Sequence, residues 1–242
     1  MQKPRTNTLI NSVDPGKHGW ATTTDSAPGF YVDLREEPGP NFFVVDLRGE
    51  PRVVPTVPAP IPPQQAFIQT FTGKLIDALN LDIDLIDIQD IAHSLSQQCR
   101  FNGHCKEFYS VAQHCVYVSR QLPKEKKLAG LMHDGTETYL CDIPSPLKPF
   151  LLNYKQLELN ASKKIEEKWF QGRDVLEDPE VKVADVRMLA TEFRDLRAYN
   201  SPVAHWTALK NVEPYPNLVI RPWSAKKAER KFLEAFYALQ HA

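Results

Sequence analysis

From about Phe67 onward, apolar residues recur at intervals of three and four, the spacing that lines one face of an α-helix. In IDLIDIQDIAHSLSQQCR, Ile91, Leu95 and Cys99 share such a face, with Asp87 or Asp90 placed to cap the helix start. FYSVAQHCVYVSRQL carries the stripe Val111, Cys115, Val118 and offers Ser110 as its N-cap. KEKKLAGLMHDGTETYL reads as a third helix, stopped by the prolines of DIPSP, which cannot continue it. KQLELNASKKIEEKWF, VKVADVRMLATEFRDLRAY and a capped SAKKAERKFLEAFYALQ complete six. No convincing strand pattern interrupts them. Residues 67–242 are therefore expected to form one all-α domain, and roughly 175 residues suffice to bury a core.

Residues 1–66 have another texture. The first 65 hold 11 of the 20 prolines and 5 of the 10 glycines. Proline fixes φ and withholds a donor, so this Pro-rich extension cannot be helical and should run extended or as polyproline II. Val32-Asp33-Leu34-Arg35-Glu36-Glu37-Pro38 returns as Val45-Asp46-Leu47-Arg48-Gly49-Glu50-Pro51, each copy behind an aromatic pair, Phe30-Tyr31 and Phe42-Phe43. The repeat predicts two short strands separated by a PGPN turn, a small hairpin that packs on its own domain or covers a partner.

Composition narrows the function. With 42% hydrophobic and 24% charged residues and a net charge of −1, the chain has no global charge for gripping a polynucleotide backbone. It also lacks a dense basic run or an aromatic–basic ladder, which argues against a polynucleotide partner. No apolar run approaches the ~18 residues of a membrane span, and the N-terminus lacks the hydrophobic core of a signal peptide. Cys99, Cys105, Cys115 and Cys141 form no CxxC pair and are expected to be free thiols in a reducing cytoplasm.

The chemistry concentrates on His133-Asp134. His114 lies 19 residues upstream and Asp185 about 50 downstream, each within a helical stretch. Neighbouring helix positions point about 100° apart, yet both side chains can reach one ion placed over that side of the helix. With His114 and Asp185 from adjoining helices they make a His2Asp2 set, which suits Mn, Fe, Co, Ni or Zn better than Ca or Mg. An isolated HD dipeptide arises readily by chance. Here Glu137 follows three residues after Asp134, on the same helical face, and DIPSPLK comes next.

Three ordered segments, DIAHSLSQQCRFNGHCKEFYSVAQHC, LMHDGTETYLCDIPSPLK and VKVADVRMLATEFRDL, resemble the HD-domain phosphohydrolase superfamily. The likeness is closest to the small bacterial and phage branch with 5′-deoxynucleotidases and phage dATP triphosphohydrolases, and it runs from about Phe71 to the C-terminus. The resemblance implies that His114, His133, Asp134 and Asp185 are the metal ligands. It assigns Glu137, helped by Asp142, to the attacking water or the leaving group. Arg100 matches the family's phosphate-binding arginine, whose planar fork suits phosphate. Phe101 stands where the deoxynucleotidases carry a bulkier aromatic that disfavours a 2′-hydroxyl. Between Asp134 and Asp185 there is no histidine, which points to a single metal.

Further substrate candidates are His104 and Lys106, and Lys148 after DIPSP. His93 is expected to hydrogen-bond within the fold, and Glu192, Arg194 and Asp195 to form a solvated ion-pair face. Tyr109 is expected in the core, with Trp206, Trp223 and Phe232 anchoring the C-terminal segment. His18, His205 and His241 have no assigned role. The expected activity is metal-dependent hydrolysis of a small-molecule (deoxy)nucleotide at its 5′-phosphate, by a dNMP phosphatase or a dNTP triphosphohydrolase. Alternatives are a catalytically silent nucleotide-binding scaffold and a dinucleotide phosphodiesterase. The resemblance also implies a homo-oligomer, a dimer or larger.

Overall fold

The computed structural model describes residues 66–197 and 207–240, together with the backbone of four short strands nearer the N-terminus. The chain divides into two compact units, Met1–Gln64 and Gln65–Ala242.

In the first unit, β1 (Trp20–Thr22) pairs antiparallel with β2 (Tyr31–Asp33), and β3 (Asn41–Val45) with β4 (Pro51–Pro55). The two repeats do begin on strands, β2 and β3, but these do not pair with each other across PGPN as expected. Each finds a different partner, β2 with β1 and β3 with β4. Pro51 and Pro55 sit at the ends of β4, an edge strand, where a missing donor is tolerated. The expected polyproline run at 56–63, His18, Trp206, His205 and His241 lie outside the described residues.

The second unit opens on a hairpin that the absence of strand pattern had excluded: β5 (Phe67–Gln69) pairs with β6 (Leu75–Asp77). Three-residue strands are too short to register a period of two. The turn closes through Thr70 N–H to Lys74 O (2.8 Å), with Gly73 at φ +84°, a conformation other residues resist.

The longer elements among the described residues are helical, as expected. The helices are α1 (Ile88–Gln97), α2 (Val111–Gln121), α3 (Lys127–Met132), α4 (Glu137–Leu140), α5 (Tyr154–Phe170), α6 (Pro179–Leu196) and α7 (Ala225–Gln240). The caps work as read: Asp87 accepts from Gln89 N–H and Ser110 from Gln113 N–H. Asp178 caps α6 ahead of Pro179, a proline at the first helical position where its missing N–H costs nothing. Cys99 falls just beyond α1, in a bridge with Ser110.

Helix α2 is the central pillar. Its residues Val111 to Ser119 are all buried, and it touches α1, α3, α6 and α7. From α7, Phe232 is fully buried, and Trp223 packs its ring 5.2 Å from that of Tyr117, so these two anchor the C-terminal segment. α3 runs very close to α2: a methyl on Gly130 would lie 2.3 Å from Leu122 Cδ1 and 3.3 Å from Ser119 Cα. That approach sets His133, three residues on, beside α2.

The third expected helix is broken. After Met132 the chain tightens into a turn, with Gly135 N–H on Met132 O (2.8 Å) and Glu137 N–H on Asp134 O (3.0 Å), before α4 begins. Gly135 has no room for a side chain; a Cβ would sit 2.9 Å from Met132 O and 3.1 Å from Ile165 Cδ1. In such three-residue turns, positions i and i+3 eclipse, which brings Glu137 over Asp134. Among the described residues no helix is long and apolar enough to cross a membrane.

Candidate metal centre

His114 stands on α2, His133 and Asp134 follow α3, and Asp185 lies near the middle of α6. His114 Nε2 is 3.2 Å from His133 Nε2, 3.5 Å from Asp134 Oδ2 and 3.0 Å from Asp185 Oδ1. His133 Nε2 is 3.3 Å from Asp134 Oδ2 and 3.8 Å from Asp185 Oδ1. His114, His133 and Asp134 form a compact group able to hold a metal ion, and Asp185 joins it through the two imidazoles. Ligand atoms about 3.0–3.4 Å apart are what a shell of radius ~2.1 Å requires, the usual distance for nitrogen and carboxylate ligands of zinc.

The hydrogen bonds around the imidazoles fix which nitrogens carry protons. His133 Nδ1 lies 2.9 Å from Gly130 O, and a carbonyl only accepts, so this nitrogen donates. His114 Nδ1 lies 2.6 Å from Glu192 Oε1 and donates likewise. Both neutral rings therefore turn a lone pair inward, onto Nε2 atoms only 3.2 Å apart. Two lone pairs at that distance repel, and a cation between them relieves the conflict. This arrangement, with each ligating ring oriented by a backbone or carboxylate acceptor, suits a metal. Without an ion, a proton must serve. Burial and Arg100 work against a charged His114, yet Glu192 and Asp185 prevail and its pKa rises. For His133, burial is likewise outweighed, by Asp134 and Asp185, and the pKa lies well above the ordinary value. Asp185 is held well below its ordinary value by hydrogen bonds from both histidines, against the effect of burial.

Glu192 overturns one expectation. It belongs to no solvated face; it is fully buried and bound at both oxygens. Oε1 accepts from His114 and from Tyr109 OH (3.0 Å), and Oε2 from Arg100 Nε (3.1 Å). Seven positions after Asp185, it shares that residue's face of α6, so the two nitrogens of His114 address carboxylates two turns apart. The sequence held a signal: Glu192 falls in the buried stripe Val181, Ala184, Met188. A lone acid in an apolar stripe is a buried acid with partners. Arg194 and Asp195 do pair (2.7 Å), but they also clamp the following segment, Arg194 on Tyr215 O and Asp195 on Ile220 N–H. Tyr109 is in the core, as expected.

Arg100 reaches the cluster. Its guanidinium is mostly buried, with Nη1 3.5 Å from Asp134 Oδ2, and the surrounding carboxylates keep it charged despite burial. Phe101 follows in a left-handed turn, φ +55°, half-buried with its ring 5.7 Å from the guanidinium carbon. His104 and Lys106 are not brought in. Both are exposed on the loop, and Lys106 donates its N–H to Leu196 O, at the far end of α6 from Asp185. Lys148 is committed to Glu158 at 2.7 Å.

Glu137 is buried, and its Oε2 has no hydrogen-bond partner among the described residues. Burial pushes its pKa well up, assisted by Asp134 and Asp142 and opposed by Arg100 and Lys148. Asp142 is raised too, chiefly by burial. The loop between them hangs on Gln98, a residue the sequence did not flag. Its amide donates to Glu137 O (3.0 Å) and accepts from Asp142 N–H (3.0 Å). Cys115 Sγ lies 4.0 Å from Asp134, but burial pushes that thiol up to about 12, so it stays protonated. All four cysteines are free. His93 hydrogen-bonds within the fold, to Glu229 at 3.3 Å.

Fold and cluster together define an all-α protein built around a group of residues able to hold a metal. No protein-family model matches the chain. It is 42% identical over 171 residues to the uncharacterized protein YfdR of Escherichia coli, an overlap spanning 71% of this chain and 94% of that protein. It is 32% identical over 94 residues to the uncharacterized protein RCAP_rcc00048 of Rhodobacter capsulatus, 35% of this chain and 48% of that one. The chain belongs to the family of YfdR.

Proposed function

We propose that this protein is a metal-dependent phosphohydrolase of the HD-domain superfamily that hydrolyses a (deoxy)nucleotide at its 5′-phosphate. The observation that carries the proposal is the inward-facing pair of Nε2 atoms, 3.2 Å apart and flanked by Asp134 and Asp185, beside the buried, unpartnered Glu137. His114, His133, Asp134 and Asp185 would hold one divalent transition metal, Mn, Co, Fe, Ni or Zn. When bound, such an ion polarises a phosphoryl oxygen and eases ionisation of a water.

The chain's own residues do the rest. Glu192 takes Nε of Arg100 and leaves Nη1 directed at the cluster, where it can pair with a phosphoryl oxygen. Glu137, with one carboxyl oxygen uncommitted, is set to exchange a proton with the attacking water or the leaving 5′-oxygen, and Asp142 stands by as its neighbour. Gln98 keeps the Glu137–Asp142 loop in register. Positioning and preorganised charge are the main sources of rate.

The available cations favour a monophosphate. Lys106 lies at the far end of α6, and Lys148, although its charge is felt at Glu137, is paired with Glu158, which leaves Arg100 beside Asp134 and little uncommitted positive charge among the described residues for a triphosphate tail. The free thiols fit a reducing cytoplasm. Exposed Leu147, Phe150, Leu151 and Leu152 offer apolar surface for a homo-oligomer. The test is a panel of dNMP and dNTP substrates with Mn or Co. Inorganic phosphate from dNMP is expected; tripolyphosphate from dNTP would reassign the substrate, and binding without cleavage would make the protein a nucleotide-binding scaffold.

A further inference from the structure

A cavity of about 620 Å³ opens on the Glu137 side of the site, lined by Glu137 and Asp142 though by none of the four candidate ligands, and also by Phe71, His93, Gln97 and Asn102. Its size is that of a small-molecule site. Phe71 is the feature the fold does not explain. It sits on the β5–β6 turn with 59% of its surface exposed, where a polar residue would serve solubility better.

The turn that carries Phe71 is tied down on both sides. Thr72 N–H and Oγ1 both donate to Asp90, at 2.7 and 2.9 Å. Lys74 Nζ binds Asp87 at 2.8 Å. His93 stacks on Phe71, ring centroids 3.7 Å apart and planes within 10°, and is itself held by Glu229. The aromatic is thus presented in a fixed pose at the cavity.

The lining chemistry narrows the occupant. No Lys or Arg lines the cavity, while Asp90, Glu137 and Asp142 do, so a phosphate is unwelcome there. A flat, uncharged ring is favoured. The amides of Gln97 and Asn102 make no hydrogen bond to the described residues, and each pairs a donor with an acceptor as a base edge does.

We propose that this cavity is the nucleobase subsite, with Phe71 as the stacking platform and Gln97 and Asn102 reading the base edge. This rests on the phosphohydrolase reading of the ligand cluster, which puts the scissile phosphate beside Glu137 and sends the base into the cavity. Stacking on an aromatic is worth ~1–3 kcal/mol per base, or roughly 5- to 150-fold in Kd.

The experiment measures calorimetric affinity of the full chain for deoxyadenosine 5′-monophosphate and for 2-deoxyribose 5-phosphate, which lacks the base. The Glu137→Gln background keeps bound nucleotide from being consumed. Phe71→Ala should weaken the nucleotide by that factor, leave the sugar phosphate unchanged to within about twofold, and be rescued by Phe71→Tyr. Equal loss for both probes, no loss for the nucleotide, or no nucleotide binding to begin with overturns the subsite. Turnover by the unaltered protein is scored separately. Turnover with a silent Phe71→Ala sinks the platform alone, and Phe71-dependent binding without turnover sinks the hydrolase reading alone.

Discussion

Glu192 and Glu137 are both buried carboxylates next to the same cluster, and they live in opposite conditions. Glu192 accepts from Arg100, Tyr109 and His114, and those partners hold its pKa below the usual range although burial pulls the other way. Glu137 has an oxygen with no partner, and burial drives its pKa well up. One half of the site is fully satisfied, as befits groups that orient ligands. The other half is left wanting, which suits the proton exchange proposed for it. Paired carboxylates whose surroundings push them apart are the mark of divided labour in hydrolases.

The contrast breaks most sharply at Glu137. Glu137→Gln should lower kcat by ~10²–10⁴, the range of general acid–base groups, while metal binding stays intact. Loss of metal binding in that variant would place Glu137 among the ligands instead. Glu192→Ala should act through structure, since it removes the buried partner of Arg100 Nε and the acceptor of both His114 Nδ1 and Tyr109 OH, at a cost of ~3–5 kcal/mol in unfolding free energy. The milder Glu192→Gln should weaken metal affinity ~10–100-fold, as removal of an orienting partner does. A normal titration in Glu192→Gln would show that His114 needs no such help.

Stability against pH sharpens the comparison further, in metal-free protein. Glu137 has a folded pKa above its ordinary 4.5. The unfolded chain therefore ionises first, and native stability falls as pH rises from 4.5 toward the folded value. Glu137→Gln removes that titration and should make stability flat where the unaltered protein loses it with rising pH, with no gain below pH 4.5. Glu192 runs the other way. Its stabilisation is present above pH 4.5 and fades as pH falls through its lowered folded value, so the cost of Glu192→Gln should shrink in acid. Denaturant curves at several pH values read both slopes; parallel slopes would erase the distinction.

The helices and their caps were legible because periodicity and capping are local: Asp87 and Ser110 needed no knowledge of the fold. The four candidate ligands were marked by spacing and by resemblance, and the structure brings their side chains together. Three things escaped. The β5–β6 hairpin is too short to show alternation. The break at Met132 comes with a tight turn at Gly135, where a side chain would meet Met132 O and Ile165, the latter thirty residues away. Glu192 looked like half of an ion pair with its sequence neighbours, when its partners come from α2 and the Arg100 loop. Conversely, His104 and Lys106 were drawn in by nearness to Arg100 along the chain, but a loop with successive left-handed residues carries them to the surface.

Titration of metal-free protein with Mn, Co or Zn by calorimetry bears most directly on the centre itself. One ion per chain, abolished in His133→Ala and in Asp185→Asn with the helical fold retained, is the predicted result. Failure of the unaltered protein to take up any of these ions, or equal uptake by the two variants, would contradict it.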